Sequence, residues 1–316
     1  MIATVVEQTF IEPEIPEHLF KYSAMQEAWE HIIRTHKSKF RPKQKGQLIF
    51  GLSGAGKSTL AEVYESCFER IDCVEATIIP VLRIKILENT HIPSNLMEQL
   101  VLAIGAKPIS DRTGYKLRHQ VKHLLKEHKV ELLLFDECQQ SLPEKQGIQG
   151  LRMVKFFKEI LEEFNLPIVF FGTPKALRIQ AFGQNADIPI DEEQLSRDMY
   201  PSVELRPLKP RTTKWLKCVN FFLESNHLPT LNKSDSDLYD RLYLAQRHKT
   251  FSHLATLFEE YDFSPVKDKS ELLHYLKLSY DMNLRDFGAN PFDESIYDET
   301  AVETQIVAIR EKMEAE

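Results

Sequence analysis

Residues 51–58 read G-L-S-G-A-G-K-S, which matches the pattern GxxxxGK followed by Ser or Thr. No other stretch constrains the fold as much. Gly51, Gly54 and Gly56 permit backbone turns that aim successive N–H groups inward as an anion nest. Ser53 and Ala55 lie between them and belong to the same cradle. Such a loop joins a strand to a helix whose dipole adds positive potential at the nest. The sequence supplies both partners. "QLIF" is a short apolar run ahead of the loop. Behind it, Leu60, Val63, Tyr64, Cys67 and Phe68 recur at i, i+3, i+4, i+7 and i+8, so a helix starts at Lys57. The pattern assigns Lys57 to the β- and γ-phosphates of a nucleotide and the Ser58 hydroxyl to Mg²⁺. It does not say whether that nucleotide is a phosphate donor, a fuel or a switch.

The remaining chain alternates apolar runs with helical patterns. "ATIIPVLRI", "VELLLFDE", "PIVFFGTP" and "PSVELRPL" read as strands. Segments near 94–104 and 115–128, and "GLRMVKFFKEILEEF", have helical spacing. This alternation predicts an α/β fold with a parallel sheet covered by helices on both faces. From about residue 206 only short amphipathic helices follow. The expected organisation is an N-terminal arm and helix at 1–45, a nucleotide-binding α/β domain at 46–205, and a small helical lid at 206–263. A C-terminal helix and acidic tail would occupy 264–316.

Charge narrows the function. The net charge is −7, so the chain as a whole has no nucleic-acid signature and any DNA contact must rest on a local surface. Lys107, Arg112, Lys116 and Arg118 form one such basic concentration, suited to sequence-independent phosphate contacts. The four cysteines show no zinc-site spacing and read as free thiols of a reducing compartment. His119 and His123 sit four apart, but "LRHQVKHLLKEHK" offers no carboxylate ligand beside them and reads as a solvated helix face. No apolar run is long enough to span a membrane, and the N-terminus lacks the form of a signal peptide, so the expectation is cytoplasmic with no membrane partner.

Three further features surround the phosphate loop. "LLLFDE" ends in Asp136 and Glu137, carboxylates at the end of a core strand where ligands of parallel sheets bind. Asp136 would hold Mg²⁺, and Glu137 would polarise an attacking water. Small-molecule kinases need a second substrate pocket and usually lack this acidic pair, so it favours hydrolysis. In "FFGTP", Thr173 follows a buried strand and could present its hydroxyl to the γ-phosphate. Arg197 precedes the last expected strand, where it could reach a neighbouring subunit's γ-phosphate as an arginine finger.

"GLSGAGKSTL", "ELLLFDECQQSL", "LPIVFFGTPKAL" and "LSRDMYPSVELRPL", in that order, resemble an AAA+ ATPase of the TniB/TnsC type, ATP-dependent regulators of DNA transposition. The resemblance covers roughly residues 45–260. It implies Lys57, Ser58 and Thr59 on phosphate and Mg²⁺, Asp136 and Glu137 as the Walker B pair, Thr173 as sensor 1 and Arg197 as the trans-acting finger. It also implies homo-oligomeric rings or helical filaments on double-stranded DNA. There a TniQ-like target selector is linked to a transposase, and ATP hydrolysis drives disassembly. The sensor 2 position is open between Arg247 and Lys249. Two other readings stand beside this one: an AAA+ DNA-loading or replication-initiator ATPase, and a monomeric P-loop kinase that needs no finger from a neighbour.

Overall fold

The computed structural model describes residues 10–74, 76–88, 90–110, 114–143, 147–181, 195–246, 251–258 and 266–315. Contacts group the chain into two compact units, Met1–Gly51 with Lys57–Leu205, and Leu52–Gly56 with Arg206–Glu316.

The first unit opens with α1 (Ser23–Lys37), β1 (Gly46–Phe50) and α2 (Lys57–Ser66). A small hairpin of β2 (Ile71–Asp72) and β3 (Thr77–Ile78) follows, then β4 (Val81–Lys85), α3 (Pro93–Ile104) and α4 (Tyr115–Glu127). It continues with β5 (Leu132–Asp136), α5 (Ile148–Glu162), β6 (Ile168–Gly172), the short α6 (Arg178–Ala181) and β7 (Val203–Glu204). The main sheet runs β4-β5-β6-β1-β7 and every pairing in it is parallel. Parallel neighbours cannot be joined by tight hairpins, which is why helices fill the connections.

Every residue of β5 and β6 is buried. Their near-continuous apolar runs are what a strand covered on both faces requires. Phe135, Phe157 and Phe170 pack as a ring cluster with centroids 4.9–5.9 Å apart. Each buried ring of this kind contributes about 1.5–3 kcal/mol. On α1 the buried face is Met25, Ala28, Trp29, Ile32 and Ile33. Its Trp29 indole donates to the Pro13 carbonyl at 3.0 Å and fastens the arm to the helix.

One expected strand is divided. "ATIIPVLRI" splits at Ile79–Pro80, because proline has no N–H to give a ladder. The Pro80 carbonyl instead accepts from Glu131 N–H at 2.8 Å and Leu132 N–H at 3.1 Å. β3 turns aside to pair antiparallel with β2, and only β4 joins the main sheet.

The second unit holds α7 (Thr213–Ser225), α8 (Ser236–Ala245), α9 (Phe251–Leu257), α10 (Lys269–Asn283) and α11 (Glu299–Ala315), with no strand among its described residues. Side-chain caps set two of the starts: the Thr212 hydroxyl accepts from Trp215 N–H, and the Asp268 carboxylate from Ser270 and Glu271 N–H. Arg241 is fully buried and donates to Asp237 and to the Pro291 and Tyr297 carbonyls. The acidic C-terminal segment is helical. Its Val302 and Ile306 are buried, and its Glu303 pairs with Arg211, which also binds Asp240. Among the described residues no helix is long and apolar enough to cross a membrane.

Candidate active site

The phosphate loop leaves β1 at Gly51, whose N–H donates to the Gly172 carbonyl at 3.2 Å and ties the loop to the end of β6. Gly54 and Gly56 have φ of 74° and 86°, backbone that side-chain-bearing residues rarely adopt. α2 begins at Lys57, so the first-turn N–H groups have no partner within the helix and make an anion site. Lys57 is buried, at 5% exposure, and its ammonium donates to the Gly51 carbonyl at 3.0 Å. Burial pushes its pKa below the ordinary lysine value, against the pull of the Glu137 and Asp136 carboxylates. Ser58 and Thr59 are exposed in the first turn of α2.

β5 delivers the acidic pair. Asp136 is 1% exposed, and its Oδ1 accepts the N–H of Glu137 at 2.9 Å. Glu137 has φ 54° and ψ 38°, a left-handed conformation costing about 1–2 kcal/mol for a residue with a side chain. Such outliers concentrate at functional sites, where the surrounding structure holds them in place.

Thr173 stands just past β6. Its N–H donates to Gln139 Oε1 at 3.1 Å, while the Gln139 side-chain amide donates to the Glu137 carboxylate. Among the described residues the buried Thr173 hydroxyl has no hydrogen-bond partner. A buried polar atom left unpaired costs about 1–3 kcal/mol, so a water or ligand atom that bonds to this hydroxyl is favoured. Lys57, Asp136, Glu137 and Thr173 thus gather at the carboxyl ends of β1, β5 and β6, where parallel sheets bind ligands. A buried cation, a buried carboxylate, an exposed Ser58 hydroxyl and an orphaned threonine hydroxyl fit a nucleoside triphosphate with its divalent cation.

Other sequence-expected residues lie apart from this cluster. Arg197 is exposed in a short turn beside Met199, which bridges in parallel to Gly46 at the start of β1. The five residues of β1 separate that point from the loop by roughly 16 Å. Lys45 fixes the turn through the Arg197 carbonyl and the Asp198 carboxylate. Arg197 is therefore remote from the phosphate loop of its own chain.

The basic segment spans the Lys107 loop and the start of α4. Gln120 of α4 clamps the Lys107 loop, donating to the Lys107 carbonyl and accepting from Ile109 N–H, both at 2.9 Å. Lys116 is exposed one turn before Gln120. Arg118 is engaged elsewhere, pairing with Glu159 at 3.1 Å. Arg112, Arg247 and Lys249 lie outside the described residues. No group of three or more His, Cys, Asp or Glu able to hold a metal occurs among the described residues.

Two residues of the motif segments, Gln139 and Gly172, have no role assigned by the sequence. Gln139 is visible in "DECQ", but nothing in the sequence says that its amide reaches both Glu137 and Thr173. A Cβ on Gly172 would lie 2.6 Å from Ala176 Cβ, 2.7 Å from Gln139 Oε1 and 2.8 Å from Cys138 Sγ, so the end of β6 must be bare.

Several solved structures are similar to this chain at 13% identity. A Walker-type ATPase of Pyrococcus abyssi matches with a TM-score of 0.49 over 85% of this chain and 75% of its own. The Thermotoga maritima RuvB Holliday junction branch migration motor matches at 0.46, over 90% and 77%. The Aeropyrum pernix ORC2 protein in its ADP form matches at 0.40, over 96% and 97%. No curated protein matches the sequence. The sequence profile of the family described as bacterial TniB protein matches residues 15–186. That segment spans more than half of the chain and contains the phosphate loop, Asp136, Glu137, Gln139 and Thr173. This chain belongs to the TniB family.

Proposed function

We propose that the chain is an ATPase that regulates DNA transposition, assembling on double-stranded DNA with ATP bound and coming apart on hydrolysis. One observation carries the catalytic half of this reading: the buried Lys57 ammonium, bonded to the Gly51 carbonyl, lies within electrostatic reach of Glu137 and Asp136 at the strand ends. Gly51, Ser53, Gly54, Ala55 and Gly56 cradle the phosphates through backbone N–H groups, and Lys57 and Thr59 add the first-turn contacts of α2. Ser58 and Asp136 would hold Mg²⁺, which supplies neutralisation of phosphate charge and polarisation of the phosphoryl oxygens.

Glu137 accepts the proton of the attacking water. The Thr173 hydroxyl, with no partner among the described residues, orients that water or the γ-phosphate. Arg197 is too far from its own phosphate loop and serves the next subunit, which makes the site composite and ties hydrolysis to assembly. Lys107 and Lys116 contribute sequence-independent contacts to the DNA backbone. Following the family resemblance, the assembly joins a TniQ-like target selector to a transposase.

Particle imaging with double-stranded DNA and a non-hydrolysable ATP analogue tests the reading. Rings or filaments that need both components are expected. Monomers under every condition would contradict it and favour a kinase.

A further inference from the structure

We propose that Gln139 is the positioning residue for Glu137, setting the direction of its carboxylate by anchoring it to the end of β6; this rests on the hydrolytic reading above. Among the described residues, the hydrogen bond to the Glu137 side chain comes from Gln139. The Glu137 backbone is turned into the left-handed region, and Asp136 takes up its N–H, not its carboxylate. The Gln139 amide is the group that meets that carboxylate.

Gln139 can set a direction only if it is fixed itself, and three observations fix it. Its Oε1 accepts the Thr173 N–H at 3.1 Å, across 34 residues of sequence. It sits in a short helical turn that leaves β5 immediately after Glu137. The β6 residue facing it is Gly172, where a Cβ would come within 2.7 Å of Oε1. The side chain therefore occupies a slot that exists because β6 ends in glycine. One neutral amide uses its donor on the base and its acceptor on the backbone of the residue bearing the orphaned hydroxyl. Glu137 and Thr173, on different strands, are held in register as one unit.

Two substitutions separate this role from simple structural support. Gln139→Leu keeps the bulk and removes both bonds. Gln139→Glu keeps an acceptor for Thr173 N–H and removes the donor to Glu137. Outer-shell partners of this kind are worth about 10–100-fold in activity. Both variants are expected to lower kcat by about 10–100-fold while leaving ATP affinity and the melting temperature near wild type. In a Glu137→Gln background, Gln139→Leu should cause no further loss, because the two residues act as one unit.

Wild-type turnover in Gln139→Glu would overturn the proposal and reduce Gln139 to a backbone clamp. So would a loss of ATP affinity as large as the loss of kcat. If Glu137→Gln itself leaves turnover unchanged, the hydrolytic reading fails and this proposal falls with it. A silent Gln139→Glu beside an inactive Glu137→Gln defeats the positioning role alone.

Discussion

The buried ammonium of Lys57 donates to the carbonyl of Gly51, so the seventh residue of the phosphate loop closes back on its first at 3.0 Å. Burial disfavours the charge of Lys57, and two carboxylates partly offset that cost. Lys57→Ala should therefore fold at least as well as wild type. It should bind ATP on the order of 100-fold more weakly, as expected for losing a charge-assisted bond to phosphate. Calorimetric titration with ATP checks this, and unchanged affinity would remove Lys57 from the site.

Glu137→Gln preserves shape and loses the proton acceptor. Turnover should fall by about 10²–10⁴-fold with ATP binding retained, and ATP-bound assemblies should persist on DNA. Single-turnover phosphate release together with DNA retention gives both readings. Turnover at the wild-type rate would exclude Glu137 as the base.

The local parts of this site are written in the sequence. Glycine spacing, the apolar run into Asp136 and the helical period after Lys57 are all patterns within a dozen residues. Pro80 also carried a signal, since a proline seldom sits within a central strand. What stayed hidden depends on partners distant in sequence. The Gln139–Thr173 bond spans 34 residues, and the capture of Arg118 by Glu159 needs α4 and α5 side by side. Likewise, the placement of Arg197 at the far end of β1 follows from one bridge between Met199 and Gly46.

The basic surface divides accordingly. Replacing Lys107 and Lys116 by Glu should weaken DNA binding and flatten its dependence on salt. Arg118→Glu should chiefly cost stability, because it faces Glu159, a half-buried carboxyl that burial already pushes above the usual range. Salt-titrated DNA binding and thermal melts of both variants test the division. Equal melting losses would show that all three residues are structural.

Acid should weaken the first unit through His36. This imidazole is fully buried, with Nδ1 3.0 Å from the Tyr64 hydroxyl and Nε2 3.4 Å from Glu131. Burial lowers its pKa from 6.5; Glu131 opposes the shift and Lys39 adds to it. Between the lowered folded value and 6.5 the unfolded chain binds more protons. The stability present above pH 6.5 is therefore lost as pH falls through the folded value. Glu131→Gln removes the opposing charge and should steepen the loss, which melts across pH 5 to 8 would reveal. A slope unchanged in Glu131→Gln would rule out His36 as its source.

If the site is shared between subunits, mixing two inactive variants restores activity. Lys57→Ala retains Arg197 but cannot bind ATP productively; Arg197→Ala binds ATP but lacks the finger. With DNA present, each alone should hydrolyse ATP at background rates, and the mixture should recover turnover at interfaces that combine an intact loop with an intact arginine. Full activity of Arg197→Ala alone, or a mixture as inactive as its components, would contradict the account.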